Sequence, residues 1–290
     1  MEIVIYGAIS GGVYALLALG FTLIYGVSRV INLAHGSFFM LGAYMFYVFG
    51  AHLLKLEPIL ALILATICTG VIGSIVFRLF IHPVLEDEVA VMVVAVCLAF
   101  IFQQLMILVF GPANVPVAAF VEGSLVVLGV TLTYTRISAF SVSLVLFASL
   151  LIFITKTKIG KAMRAVSQDR EVAMLMGINT ESLYMLTMAL SAMLAAVAGI
   201  FISASTTKVA GAWMWFSPLA LAFSIVILGG LGSIKGSFVG AFIVGYAEQT
   251  VAITVPQGGA IISIVPFVIM VVILILRPKG LFGKRIEMED

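Results

Sequence analysis

Apolar residues run in long stretches along this chain, and polar residues gather in the short gaps between them. Ile3–Ser28, Pro58–Phe77, Val89–Phe110, Ile137–Thr155 and Ser182–Thr207 contain no charged residue, and Val209–Ile234 and Gln249–Leu276 continue the pattern. A helix that crosses hydrocarbon needs about 20 such residues, so each stretch can hold at least one span. Clusters of Gly, Pro and polar residues mark breaks at 28–36, 82–88, 111–136, 156–180, 205–216, 233–236 and 256–258. Nine helices are predicted, at residues 3–27, 37–54, 58–80, 89–110, 137–155, 181–204, 217–234, 236–254 and 260–277. Within 111–136, the alternation over Leu125–Leu132 predicts a short hairpin outside the bundle.

Composition strengthens this picture. Of 290 residues, 63% are hydrophobic and 10% charged, against roughly 25% charged in an ordinary soluble domain. The fold class expected is all-α: a polytopic membrane helical bundle of about eight or nine transmembrane helices in one domain over 1–290. Met1-Glu2 offers no basic region for a removable signal, and the apolar stretch behind it is too long for one. Cys68 and Cys97 both fall inside expected spans and read as small packing residues. A net charge of +2 gives no reason to expect nucleic acid.

The placement of charge sets the orientation. With the N-terminus outside, twelve of the fifteen Lys and Arg residues face the cytoplasm: Arg29, Arg78, Lys156, Lys158, Lys161, Arg164, Arg170, Lys235, Arg277, Lys279, Lys284 and Arg285. Cytoplasmic loops are enriched in both residues, so N-out, C-in is expected. Trp213 and Trp215 then fall at the outer interface, where amphipathic rings are favoured. The 28–36 break reads either as a cytoplasmic turn or as irregular backbone inside the membrane, which is tolerated only where protein or a wet cavity surrounds it. Nine helices would also suit an inverted repeat about the fifth. The echo of His35-Gly-Ser-Phe38 in Lys235-Gly-Ser-Phe238 is parallel in register and does not support one.

The largest polar segment, 156–180, carries a short amphipathic helix over 167–177. Ser167 is placed to cap it, Asp169 and Glu171 suit the dipole of its first turn, and Gly177 supplies the stop. Val172, Leu175 and Met176 form an apolar stripe. On periodicity alone, the stripe fits a docking partner and a bilayer surface equally well.

Four segments carry a family resemblance. Gly160-Lys-Ala-Met-Arg-Ala-Val-Ser-Gln-Asp-Arg-Glu-Val-Ala-Met-Leu-Met-Gly-Ile-Asn179 resembles the cytoplasmic loop of branched-chain amino acid ABC importer permeases, of the first-permease type. Within it, Glu171, Ala173 and Gly177 fit the E-x-A-x-x-x-G core, with Val172 where a second alanine is usual. Arg29-Val-Ile-Asn-Leu-Ala-His-Gly-Ser-Phe-Phe-Met-Leu-Gly-Ala-Tyr44 resembles the most characteristic phrase of that family. Gly229-Gly-Leu-Gly-Ser-Ile-Lys-Gly-Ser-Phe-Val-Gly-Ala241 and Arg277-Pro-Lys-Gly-Leu-Phe-Gly283 resemble its late segment and its ending. The four lie in order across nearly the whole chain.

The resemblance implies a permease subunit of an ATP-driven importer in the cytoplasmic membrane of a bacterium or archaeon. It implies ABC ATPase partners, a second, paralogous permease and an external or periplasmic amino-acid-binding protein. Arg170, Glu171, Val172, Ala173, Leu175, Met176 and Gly177 are the residues expected to couple to the ATPase. The chain has no G-x-x-x-x-G-K-[ST] phosphate loop, so it is not expected to be an enzyme, and neither metal nor cofactor is expected. Leucine, isoleucine and valine are the expected cargo, with urea or short amides the alternative on the same machinery. An ion-coupled carrier would need ionisable groups at mid-membrane, and Glu248 is the one acid well inside a late span. Asn32, His35, Gln103 and Glu248 are the candidate pathway residues. For Asn32 and His35 a helix cap or hydrogen bonds between helices, and for Gln103 structural hydrogen bonding, is the competing reading; Glu248 could instead simply face external water. Gln103 and Gln104 cannot both face lipid comfortably.

Overall fold

The computed structural model describes residues 1–206, 208–209, 211–256, 258–277 and 279–283. Lys284 and Arg285, counted above for orientation, lie outside the described residues. Long helices dominate: α1 (Glu2–Ser28), α3 (Pro58–Val76), α4 (Glu88–Phe110), α5 (Tyr134–Lys156), α8 (Thr180–Thr206) and α10 (Ile234–Thr254). With the turns that prolong α3 to Val84, these six are long and apolar enough to cross a membrane. Three shorter apolar helices fill the other expected places: α2 (His35–Tyr47), extended by a π-helical turn at Val48–His52, α9 (Phe216–Gly229) and α12 (Val265–Leu276). The chain is a multi-pass helical membrane protein.

Two helices form the axis of the bundle. α1 packs along α10, α8 and α5, and α8 packs in turn against α2 and α3. Both are built from small residues where the backbones approach. A Cβ added at Gly245 would lie 2.6 Å from the backbone nitrogen of Gly11, and one at Gly42 would lie 2.4 Å from the Cα of Ala196. In lipid the apolar effect does not drive helices together, so close van der Waals contact over such positions holds them. The outward sides of α3 and α4 carry exposed Ile63, Ile67, Val71, Ile101 and Leu108, which suits acyl chains. Gln103 is buried and Gln104 exposed.

Two faces follow from the contacts. The Met1 face holds the starts of α1 and α5 and the ends of α8 and α10. Here β2 (Ser124–Val127) and β3 (Val130–Thr133) pair antiparallel around Leu128-Gly129, as the alternation predicts. Both turn residues have positive φ, 53° and 80°, the requirement of a tight two-residue hairpin turn. β1 (Val115–Pro116) pairs there with β4 (Lys208–Val209). The Ser28 face holds the opposite ends, together with α6 (Lys158–Gln168) and α7 (Arg170–Leu175).

Several expected boundaries are corrected. The 28–36 segment is the buried kind of break, not an exposed turn. α1 stops at Arg29, whose φ is 59°, and Val30, Asn32 and Ala34 are then buried. α2 begins inside the bundle, with His35 against Leu17 of α1 and Ser191 of α8. Ser191 is eleven residues into α8, roughly 16 Å at 1.5 Å per residue. The helix expected over 217–234 ends at Gly229, because Gly230 and Gly232 take φ of 100° and 79°. The tail fills the space left: Leu281 and Phe282 donate backbone hydrogen bonds to the carbonyls of Leu228 and Gly229. The helix expected over 260–277 is divided into α11 (Gly258–Ile261), a 3₁₀ turn and α12. Trp215 is enclosed by protein. It is 5% exposed, and Gly36 packs against its carbonyl, whereas Trp213 is 65% exposed.

The α1–α10 contact leaves no room for a side chain at Gly245. Gly245→Val is expected to cost at least about 1–3 kcal/mol, the usual range for overpacking. Gly259→Ala, with nothing within 4 Å, is expected to be neutral. Unfolding in mixed detergent micelles measures both.

Candidate functional site

The Ser28 face presents a two-helix corner. Thr157 caps α6, its Oγ1 accepting from the Gly160 N–H at 3.0 Å. The chain turns so tightly from α5 into α6 that a Cβ at Gly160 would meet the Ile154 carbonyl, and glycine there permits the turn. Met163 and Val166 bury the inner side of α6, and Arg29 Nη2 donates to the Ser167 carbonyl at 2.9 Å. α6 therefore continues through Ser167, the residue expected to cap the next helix. That cap is Asp169, whose Oδ1 accepts from the Val172 N–H at 3.0 Å. Ser167 Oγ instead donates back to the Arg164 carbonyl. The error is one of register: both residues are competent caps, and the tertiary anchor of α6 selects the later one.

α7 is held by one small buried residue. Ala173 is 3% exposed, while Val172, Leu175 and Met176 are 53%, 86% and 78% exposed. Glu171 is exposed, and Arg170 lies over the Tyr184 ring, 5.8 Å from its centroid. Gly177 ends the helix with φ 81° and no atom near its missing Cβ. Three large apolar side chains thus project from a short helix that rests on the bundle through Ala173, with Met174 also exposed beside them.

The four intramembrane candidates are all buried, and the structure does not gather them into one place. Asn32 folds its Oδ1 onto the Ala34 N–H at 3.0 Å and its Nδ2 toward Met188 Sδ. His35, next to it in the same break, has Nε2 against the Leu17 carbonyl at 2.9 Å and Nδ1 against Ser191 Oγ at 3.2 Å. Gln103 accepts from Trp215 Nε1 at 2.5 Å. Glu248 accepts from the Tyr14 hydroxyl at 2.6 Å. Partners such as Tyr14 and Trp215 escape sequence reasoning because they lie 234 and 112 residues away. A further buried pair, Thr22 and Ser237 at 2.5 Å, joins α1 to α10.

A cavity of about 410 Å³ lies between α1, α5, α8 and α10. Glu2, Arg136 and Thr206 stand at its rim, where these helices begin or end on the Met1 face, and Val13, Tyr14 and Phe201 lie deepest. Along α1, Glu2, Tyr6, Ser10 and Tyr14 all line it. This polar stripe, one residue in four, is present in the sequence, but only the surrounding helices make it the wall of a cavity.

These features sit in a multi-pass helical membrane protein. The chain belongs to the family described as the permease component of the branched-chain amino acid transport system, whose sequence profile matches residues 3–274. It is 28% identical to the high-affinity branched-chain amino acid transport system permease protein BraD of Pseudomonas aeruginosa, over 98% of this chain and 96% of that protein. It is likewise 28% identical to the permease protein LivH of Escherichia coli K12, over 96% and 94% of the two chains. The probable branched-chain amino acid transport permease protein LivH of Methanocaldococcus jannaschii is 28% identical over 97% and 92%. No solved structure matches the chain.

The Tyr14–Glu248 contact is expected to be a coupled pair. Tyr14→Phe alone should cost about 1–3 kcal/mol by stranding a buried acceptor. Combined with Glu248→Leu it should cost less than the sum, with a coupling of roughly 0.6–2 kcal/mol. Detergent unfolding of the four variants of the cycle measures it.

Proposed function

We propose that this chain is a membrane-spanning subunit of an ATP-driven ABC importer, carrying leucine, isoleucine and valine across a cytoplasmic membrane. The observation that carries the reading is α7. Its apolar side chains stand free on the most basic face of the chain, in a segment that resembles the ATPase-coupling loop of such permeases. Val172, Leu175 and Met176 enter a cleft on the ATPase, while Arg170 and Glu171 set its orientation. Ala173 seats the helix on the bundle, and Gly177 lets the chain turn back into α8. ATP-driven closure of the ATPases pushes on α7, and α6 and α8 pass the displacement to α1. The same reading supplies a second, paralogous permease and an external amino-acid-binding protein. Hydrolysis belongs to the ATPases, since the chain has no phosphate loop.

The charge bias favours the Met1 face outside and the Ser28 face in the cytoplasm. Among the four intramembrane candidates, Glu248 is the one assigned to the pathway, because its partner Tyr14 lines the cavity. Asn32, His35 and Gln103 act as hydrogen-bonded pins that fix the broken helices.

In vesicles holding the whole complex, uptake is expected to require ATP and the binding protein and to ignore an imposed ion gradient. Glu171→Ala and Gly177→Val should each lower transport-coupled ATPase activity about tenfold, equivalent to 1.4 kcal/mol, with normal amounts of protein in the membrane. Wild-type stimulation in both would remove the coupling assignment. For orientation, a cysteine at 171 in a Cys68- and Cys97-free chain should react with an impermeant maleimide only in inverted vesicles. One at 129 should react only in right-side-out vesicles.

A further inference from the structure

We propose that the cavity between α1, α5, α8 and α10 is a binding site for one zwitterionic amino acid, formed inside this single subunit. The inference rests on the import reading above and adds to it a place where the permease itself holds cargo.

The argument begins with α1. In a helix of otherwise apolar character, Glu2, Tyr6, Ser10 and Tyr14 recur every fourth residue, and so share one face. That face lines the cavity rather than a packed interface. Polar side chains in a membrane helix are costly unless they meet protein, water or a ligand. Here they border about 410 Å³ of open space, within the roughly 300–1,000 Å³ usual for small-molecule sites.

The charges specify the ligand class. Arg136 enters the cavity from the first turn of α5, and its guanidinium lies 4.9 Å from the centroid of the Tyr6 ring. Tyr6 is itself fixed, its hydroxyl donating to the Thr131 carbonyl at 2.9 Å. Among the described residues Arg136 has no carboxylate partner, so a held, planar donor array faces the space, the geometry that suits a carboxylate. Glu2, at the same rim, is the one acid among the described lining residues. One cation and one anion at the mouth favour a ligand that carries both charges close together. Below them Gln249 Nε2 donates to Ser10 Oγ at 3.3 Å, leaving the Gln249 carbonyl oxygen available to an ammonium. Ile9, Val13, Phe201 and Ile202 make an apolar wall, suited to an aliphatic side chain. Tyr14, committed to Glu248, forms part of the floor.

The test uses the assembled transporter, with its partner permease and ATPases but without the binding protein, in lipid nanodiscs. Tritiated leucine should bind saturably. Arg136→Gln should weaken binding at least tenfold, Arg136→Lys should restore part of it, and Val13→Trp, which fills the cavity, should abolish it. 3-Methylbutylamine, which lacks the carboxylate, and 4-methylpentanoate, which lacks the ammonium, should each compete at least tenfold more weakly than leucine. Leucine binding unchanged in both Arg136→Gln and Val13→Trp would overturn the proposal. So would an absence of saturable binding in a complex that imports leucine once ATP and binding protein are added, and that result would leave the import reading intact. If Arg136→Gln weakened only docking of the binding protein and not leucine binding, the cavity would be a docking socket and the proposal would fall. A complex that imported no branched-chain amino acid would fail the import reading instead, whatever the nanodisc result.

Discussion

The architecture depends on how closely α1 can be approached. In water, burying apolar surface would hold such helices together at many separations. In lipid that drive is absent, and the favourable geometry is the one with the most atoms in contact. Gly11 against Gly245 brings the backbones of α1 and α10 together, and the alanine-rich side of α8 brings a third helix to the same axis. Once these three are set, the remaining helices have one surface left to pack on. The broken segments follow too, because α2 and α9 can start at depth only where neighbouring protein surrounds their free backbone groups.

Polar pairs then fix what contact alone leaves adjustable. Thr22 with Ser237 sets the slide of α1 along α10, and His35 ties α2 at once to α1 and α8. Trp215 with Gln103 locks the start of α9 to α4. Each bond is short-range and directional, so together they select one arrangement among several that would pack comparably. A transporter that must alternate between two states keeps such bonds at the joints that stay rigid. The large apolar side chains of α7, by contrast, stand exposed and take no part in these joints.

Much of this was written in the sequence. The apolar stretches predicted every long helix, because length and the absence of charge are local properties. The Leu125–Leu132 hairpin followed from alternation, and the apolar stripe on α7 from helical spacing. What stayed hidden was depth. Nothing local to 28–36 or to Trp215 says whether a break lies at the surface or inside, since that is decided by helices more than a hundred residues away. The cap of α7 was missed for a similar reason: Ser167 is committed to α6 by its carbonyl contact with Arg29. The α1 stripe shows the opposite case, a signal present in the spacing of Glu2, Tyr6, Ser10 and Tyr14 and visible as a surface only once α5 and α8 stand around it.

The short tail that closes over α9 has a consequence for biogenesis. The last carbonyls of α9 receive their donors from Leu281 and Phe282, residues that leave the ribosome only after α10 and α12 have been made. Until then the end of α9 lacks part of its hydrogen bonding, and Gly230 lacks the tail residues that pack on it. Insertion of the helices and completion of the Ser28 face are therefore separate events in time. Nascent chains that have delivered all their spans still carry an open seam on the Ser28 face.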